Sequence, residues 1–290
     1  MRGRTDGAAR ASRPDRDPLS HRSAGRHLDA HPARPGRPHH FRSEAAARAP
    51  RVDAAGPRSG GTLKASRRSA NLPRLRNLPG LFLTFEGIEG SGKSTQVEML
   101  AARLLADGWT VRVVREPGGT ALGEDLRRTL LAQAEEPIDS RAELLLYLAS
   151  RAQLVERIAI PALRSGALVL ADRFGDASVA YQGAGRGLGE ARVRSLVRFA
   201  TGGLVPDRTY LLDLPPEEGL PRARARGALD RLEGEDIRFH RAVRRSYRGI
   251  ASREPSRVLL LDGRVPADRI AERILRDARS LLPFLRRSDL

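Results

Sequence analysis

Phe82-Leu-Thr-Phe-Glu-Gly-Ile-Glu-Gly-Ser-Gly-Lys-Ser-Thr95 decides the fold. An apolar run of β type, Leu81 to Phe85, leads directly into Gly87-x-x-x-x-Gly92-Lys93-Ser94. Val97, Leu100, Ala101, Leu104 and Leu105 then recur at helical spacing. Strand, glycine loop and helix in this order are the setting in which such a loop cradles phosphate. Glycines let the backbone curl until several N–H groups point at one anion, and the first helical turn adds unpaired N–H groups and a positive dipole end. The candidate nucleotide-binding residues are Gly87, Ile88, Glu89, Gly90, Ser91, Gly92, Lys93, Ser94 and Thr95. Lys93 would reach the β- and γ-phosphates, and the Ser94 hydroxyl would ligate Mg²⁺. The chain holds two lysines, Lys64 and Lys93, among 52 basic residues. A lysine at this point suits a site that needs a slim point charge rather than a planar fork.

Outward from this stretch, strands and helices alternate. Thr110–Arg115, Ala167–Ala171, Thr209–Leu214 and Arg257–Leu261 read as further strands. Helices are expected over Leu122–Gln133, Asp139–Ile160 (ending before Pro161), Ala191–Ala200, from about Pro216, over Asp236–Ala251 and over Ala267–Leu282. Five strands interleaved with helices imply an α/β fold with a parallel sheet covered on both faces. Ligands then bind beyond the carboxyl ends of the strands. The Asp139–Ile160 helix carries more apolar positions than one sheet face needs.

The first 80 residues hold 18 basic and 6 acidic side chains, whereas residues 81–290 hold 34 and 29. The strong basicity of the chain, +17 in all, therefore resides mainly in the leader. Rich in Arg, Pro, Gly, Ala and His and without periodicity, residues 1–78 cannot bury enough apolar surface to offset chain entropy, and are expected to be disordered. A dispensable extension is the preferred reading; a basic nucleic-acid-binding tail and an organelle transit peptide are the others, the latter opposed by Asp6, Asp15, Asp17 and Asp29. The absence of cysteine excludes disulfides and thiolate metal sites. No stretch approaches the ~18–20 apolar residues of a membrane span, and the expected location is cytoplasmic.

The motifs lie at the expected strand ends. Glu116-Pro117-Gly-Gly119 follows the second strand, and Asp172-Arg173 ends the third, where an acid suits Mg²⁺ and an arginine suits a phosphate. Tyr147 and Arg151 share a helix face at i, i+4. Arg222, Arg224 and Arg226 alternate before Gly227, a spacing that suits a lid better than one helical stripe.

With Phe85 to Thr95, Arg115-Glu-Pro-Gly-Gly-Thr120, Asp172-Arg-Phe174, Ala180-Tyr-Gln-Gly183, Arg222-Ala-Arg-Ala-Arg-Gly227 and Asp230-Arg231 in this order, the chain resembles the thymidylate kinases over about Leu81 to Leu282. The resemblance implies the P-loop NTPase fold in its nucleoside monophosphate kinase form, over residues 79–290, with a lid around 221–235. It implies transfer of a phosphoryl group from ATP to dTMP, with Mg²⁺, in a homodimer that forms through helices. It assigns Lys93, Arg173, Arg226 and Arg222 to catalysis. Glu89, Glu116, Pro117, Tyr147, Arg151, Arg173, Ser178, Tyr181 and Gln182 fall to the substrate, and Ser94 and Asp172 to the metal. Glu89 would meet the sugar hydroxyl. Tyr147 stands where the family usually has a stacking phenylalanine. The phosphate loop lacks the arginine that some relatives carry there, which matches the bacterial pattern of lid arginines. Another P-loop nucleoside monophosphate kinase is the alternative. A GTPase would read guanine through Asn-Lys-x-Asp, and no lysine follows Lys93.

Overall fold

The computed structural model describes residues 78–133, 136–227 and 230–282. The expected disordered extension, 1–78, lies outside these residues apart from Leu78, and so do positions 228 and 229 of the expected lid.

Five strands form one all-parallel sheet: β1 (Leu81–Glu86), β2 (Val111–Arg115), β3 (Leu168–Asp172), β4 (Arg208–Asp213) and β5 (Val258–Asp262), in the order β2-β3-β1-β4-β5. Each lies within a residue or two of its expected position. All six residues of β1 are buried, because the central strand is covered above and below; four are apolar, and the buried Thr84 and Glu86 are hydrogen-bonded to Thr209, Phe174 and Tyr247. At the edge the constraint relaxes, and Val113 of β2 is half exposed.

One sheet face is covered by α1 (Lys93–Ala106) and α9 (Ala267–Leu281), whose Leu100, Leu104, Ile270 and Ile274 pack with Leu83, Phe85, Leu170 and Tyr210. The helices α2 (Ala121–Leu131), α3 (Ser140–Leu154), α4 (Ile160–Arg164), α5 (Gly175–Ser178), α6 (Glu190–Ala200), α7 (Pro216–Arg224) and α8 (Ile237–Arg253) complete the described elements. Two further cores, one with Leu148, Val193, Val243 and Ile250 and one with Phe82, Leu154, Leu163 and Phe174, join helices from this group to the strands. Each such fully buried side chain contributes about 1.5–3 kcal/mol.

Pro161 does not end its helix. A π turn, Val155–Ala159, follows α3, and the Ile160 N–H donates to Val155 O, five residues back. This widening places Pro161 in the first turn of α4, where its missing N–H costs no hydrogen bond, and the helix runs on to Arg164. A second π turn, Val179–Gly185, follows α5; it buries Tyr181 and Gln182, and neither it nor α5 carries a sequence period. Pro221 is likewise tolerated inside α7.

Candidate active site

The sheet brings three strand ends to one edge. From β1 comes the phosphate loop, from β2 Arg115, Glu116 and Pro117, and from β3 Asp172 and Arg173. Together with residues of α2, α3, α5, the second π turn and the segment after α7, they line a cavity of about 300 Å³.

The phosphate loop runs into α1, with Lys93 as its first helical residue. Lys93 is 7% exposed; its Nζ donates to Ile88 O at 2.7 Å and lies 3.4 Å from Ser91 Oγ. Burial, and then the nearby Arg173, push its ammonium down to about 8, while Asp172, Glu89 and Glu86 pull it up. Anionic phosphates in the loop favour the charged form. Gly90 sits at φ 68°, and a Cβ there would lie 2.1 Å from Gly219 O. The contact is reciprocal, since a Cβ on Gly219 would lie 2.4 Å from Glu89 O. Phosphate loop and α7 therefore meet backbone to backbone.

Ser94 Oγ donates to Asp172 Oδ2 at 2.5 Å. Two hard oxygen donors side by side, one of them anionic, fit Mg²⁺, which keeps several waters and needs few protein ligands. Among the described residues no group of three or more His, Asp or Glu could hold a metal alone, so the fit is to a metal shared with phosphate.

Arg173 is the one described non-glycine residue with positive φ, 71°. Such a backbone costs on the order of 1–3 kcal/mol and concentrates at functional sites. The turn is held by Arg173 N–H donating to Phe85 O at 3.0 Å, and by Glu86, which accepts from Phe174 N at 2.7 Å and Tyr247 OH at 2.8 Å. Burial pushes the Glu86 carboxyl up to about 8. The turn aims the Arg173 guanidinium at the phosphate loop, where Nη1 donates to Gly87 O at 3.1 Å and Nη2 to Glu89 Oε1 at 3.0 Å. It lies over the Tyr181 ring, 5.0 Å from its centre.

Glu89 also accepts from Tyr181 OH, and its Oε2 lies 3.3 Å from His240 Nδ1. Burial works to raise the Glu89 carboxyl, but His240, Arg173 and Lys93 outweigh it and hold it well below the usual carboxylate range.

Arg151 is 1% exposed. Its Nε donates to Glu116 Oε2 at 2.7 Å, Nη1 to Ser178 Oγ at 2.9 Å and Nη2 to Phe174 O at 3.0 Å. A guanidinium fully removed from water survives only when each of its nitrogens has such a partner. Tyr147, one turn earlier on α3, and Gln182, on the second π turn, line the same cavity.

The structure thus brings together Glu89, Gly90, Gly92, Lys93, Ser94, Glu116, Pro117, Tyr147, Arg151, Asp172, Arg173, Ser178, Tyr181, Gln182 and Arg226. Gly87, Ile88, Ser91 and Thr95 shape the loop and helix start without lining the cavity. Arg222 does not reach it either: its Nη1 donates to Gly263 O at 3.1 Å, after β5. Arg127, Asp230 and Glu233 also line the cavity; the latter two fall in the expected lid segment without an assigned contact, and Arg127 belongs to no motif. Arg127, which donates to Pro117 O at 2.9 Å, stands among charged neighbours that read as a solvated helix face. His240 had a signal, being the one histidine outside the leader.

Comparison with known proteins agrees with this geometry. The family model for thymidylate kinase matches residues 85–274. A thymidylate kinase of Deinococcus radiodurans is 52% identical over 195 residues, covering 67% of this chain and 94% of that protein. One of Pseudomonas putida (strain GB-1) is 50% identical over 206 residues, covering 71% and 96%. The crystal structure of thymidylate kinase from Ehrlichia chaffeensis superposes with a TM-score of 0.57 at 30% identity, covering 69% of this chain and 98% of the other. A phosphate loop facing a buried arginine pocket across one sheet edge, with about half of the aligned residues shared over nearly the full length of the Deinococcus and Pseudomonas proteins, places the chain in the thymidylate kinase family.

Proposed function

We propose that the protein transfers the γ-phosphoryl group of ATP to the 5′-phosphate of dTMP, giving dTDP and ADP. The observation that carries this reading is one cavity lined at once by the phosphate loop, by Arg173 and by the Arg151–Ser178 pair. The acceptor oxygen belongs to a phosphate that is already anionic. It attacks the γ-phosphorus while the bond to the β–γ bridging oxygen breaks, and no side chain need remove a proton. Catalysis is therefore alignment and charge stabilisation. Lys93 serves the β- and γ-oxygens, Arg173 the acceptor phosphate, and Arg226 the transferring group. Arg151 and Ser178 hold the base edge, Tyr147 its face, and Glu89 the sugar hydroxyl. Ser94 and Asp172 would hold Mg²⁺, which when bound neutralises charge on the phosphate oxygens.

The test is a coupled ADP-release assay with each nucleoside monophosphate in turn. dTMP is expected to give the highest kcat/KM; a purine monophosphate in that place would overturn the reading. The same assay on residues 79–290 should match the full chain in turnover and Tm, because the extension carries too little apolar surface to join a core. A substantial drop in Tm on its removal would show that it packs.

The reading includes a cytoplasmic location and a homodimer. Among the described residues no helix is long and apolar enough to cross a membrane. Leu122 on α2 and Leu145 on α3 are 47% and 61% exposed on adjoining helices, which suits a helical interface. Light scattering at micromolar concentration should give about twice the 31.7 kDa chain mass; the mass of a single chain would count against it.

A further inference from the structure

Glu143, on α3, belongs to no motif, yet it is fully buried. Its Oε1 accepts from Gln182 Nε2 at 2.8 Å and from Arg186 Nε at 3.3 Å. Its Oε2 accepts from Arg186 Nη2 at 3.0 Å and lies 2.7 Å from Arg231 Nη2. Arg186 also pairs with Glu235 at 2.7 Å, so two carboxylates face two guanidinium groups. Burial works to raise the Glu143 carboxyl, but Arg186, Gln182 and Arg231 outweigh it and hold it below its ordinary value.

A carboxylate kept ionised only accepts hydrogen bonds. The Gln182 amide has therefore one orientation, with Nε2 toward Glu143. Its carbonyl oxygen has no hydrogen-bond partner among the described residues and is left for the cavity that Gln182 lines. Ser178, one helical turn before Gln182, is bonded to Arg151 on the same wall. The wall thus holds Arg151, whose Nη1 keeps one N–H beyond its bond to Ser178, beside an acceptor from Gln182. Thymine matches this pair with a C4 carbonyl beside a ring N3–H. Cytosine presents the reverse, an amino group beside an unprotonated N3.

We propose that Glu143 is a positioning residue that fixes the Gln182 amide with its oxygen toward the substrate base, and so selects a pyrimidine carrying a ring N–H. The inference rests on the dTMP reading above. Glu143→Gln retains size but gains an N–H. The new amide would turn its oxygen to Arg186 and Arg231 and its nitrogen to Gln182, which would then present Nε2 to the cavity.

The experiment measures kcat/KM for dTMP and for dCMP in the full chain. E143Q should lower the dTMP-to-dCMP ratio by about 10-fold or more, since a site built around one hydrogen-bond polarity discriminates strongly against its reverse. Q182M should lower it too, and E143Q should add nothing in the Q182M background. E143D, still acceptor-only, should keep the ratio while KM for dTMP rises. A ratio unchanged in E143Q, or effects of E143Q and Q182M that simply add, would overturn the proposal by making Glu143 a structural residue alone. Should E143Q fail to fold, the ratio must survive E143D and collapse in Q182M; either failing overturns it. A wild-type protein indifferent to the two bases would instead sink the function reading, and this one with it.

Discussion

Lys93→Ala is expected to reduce phosphoryl transfer to background with an unchanged circular dichroism spectrum. Lys93 stands where β1 delivers the loop and α1 begins, and its ammonium is bonded within the loop at Ile88 O. Charge develops on the β–γ bridge as the phosphoryl group departs, and a buried cation there is worth far more than one in water. Losing a single preorganised stabiliser commonly costs about 10²–10³-fold, and Lys93 also positions the donor. The fold should tolerate the change, because alanine suits the start of α1 and the removed Nζ leaves only the Ile88 carbonyl and Ser91 hydroxyl to be satisfied. Wild-type turnover in a normally folded variant would refute the phosphate-loop assignment.

Arg226→Ala should lower kcat by about 10²-fold or more while KM for dTMP moves little. The loop segment Glu89-Gly90-Ser91 contains no arginine, so a cation for the transferring group must come from elsewhere. Arg226 follows α7 and is the one member of the Arg222, Arg224, Arg226 set that lines the cavity. On the proposed reading, the base and acceptor phosphate are served by other residues that line the cavity, Tyr147, Arg151 and Arg173. An interaction made only in the transition state depresses kcat and kcat/KM equally. Arg222→Ala should be milder, since Arg222 is bonded to Gly263 O. If alanine at each of the three raised only KM for ATP, the segment would be a binding element and the mechanism wrong.

The strands and the cavity-lining motifs were legible in the sequence because each strand is a short apolar run that ends in polar residues, and a parallel sheet gathers those ends on one edge. Asp172-Arg173 and Glu116-Pro117 could thus be placed near Lys93 before any contact was known. Glu143, Arg127 and His240 could not. Their roles come from partners 39, 10 and 151 positions away, Gln182, Pro117 and Glu89, and no local period records such pairings. The same limit applies to Arg222. Its spacing with Arg226 is visible, but its partner after β5 is set by how α7 packs. Pro161 misled for a different reason: the π turn before it lets the helix run on, and no sequence period announces that turn.

The paired glycines have a cost for anyone seeking a hardier protein. Gly219 lies inside α7, and on an open helix its replacement by alanine gains roughly 0.5–1 kcal/mol. Here the added methyl would meet Glu89 O at 2.4 Å, so the substitution that a consensus approach would choose first is closed. Gly90, with its positive φ and the Gly219 carbonyl in the way, is closed as well. The helix that carries Arg222 and Arg224 and leads to Arg226 keeps its weakest ordinary helix former at the point where it touches the phosphate loop. Thermostability in this chain must be sought away from that seam.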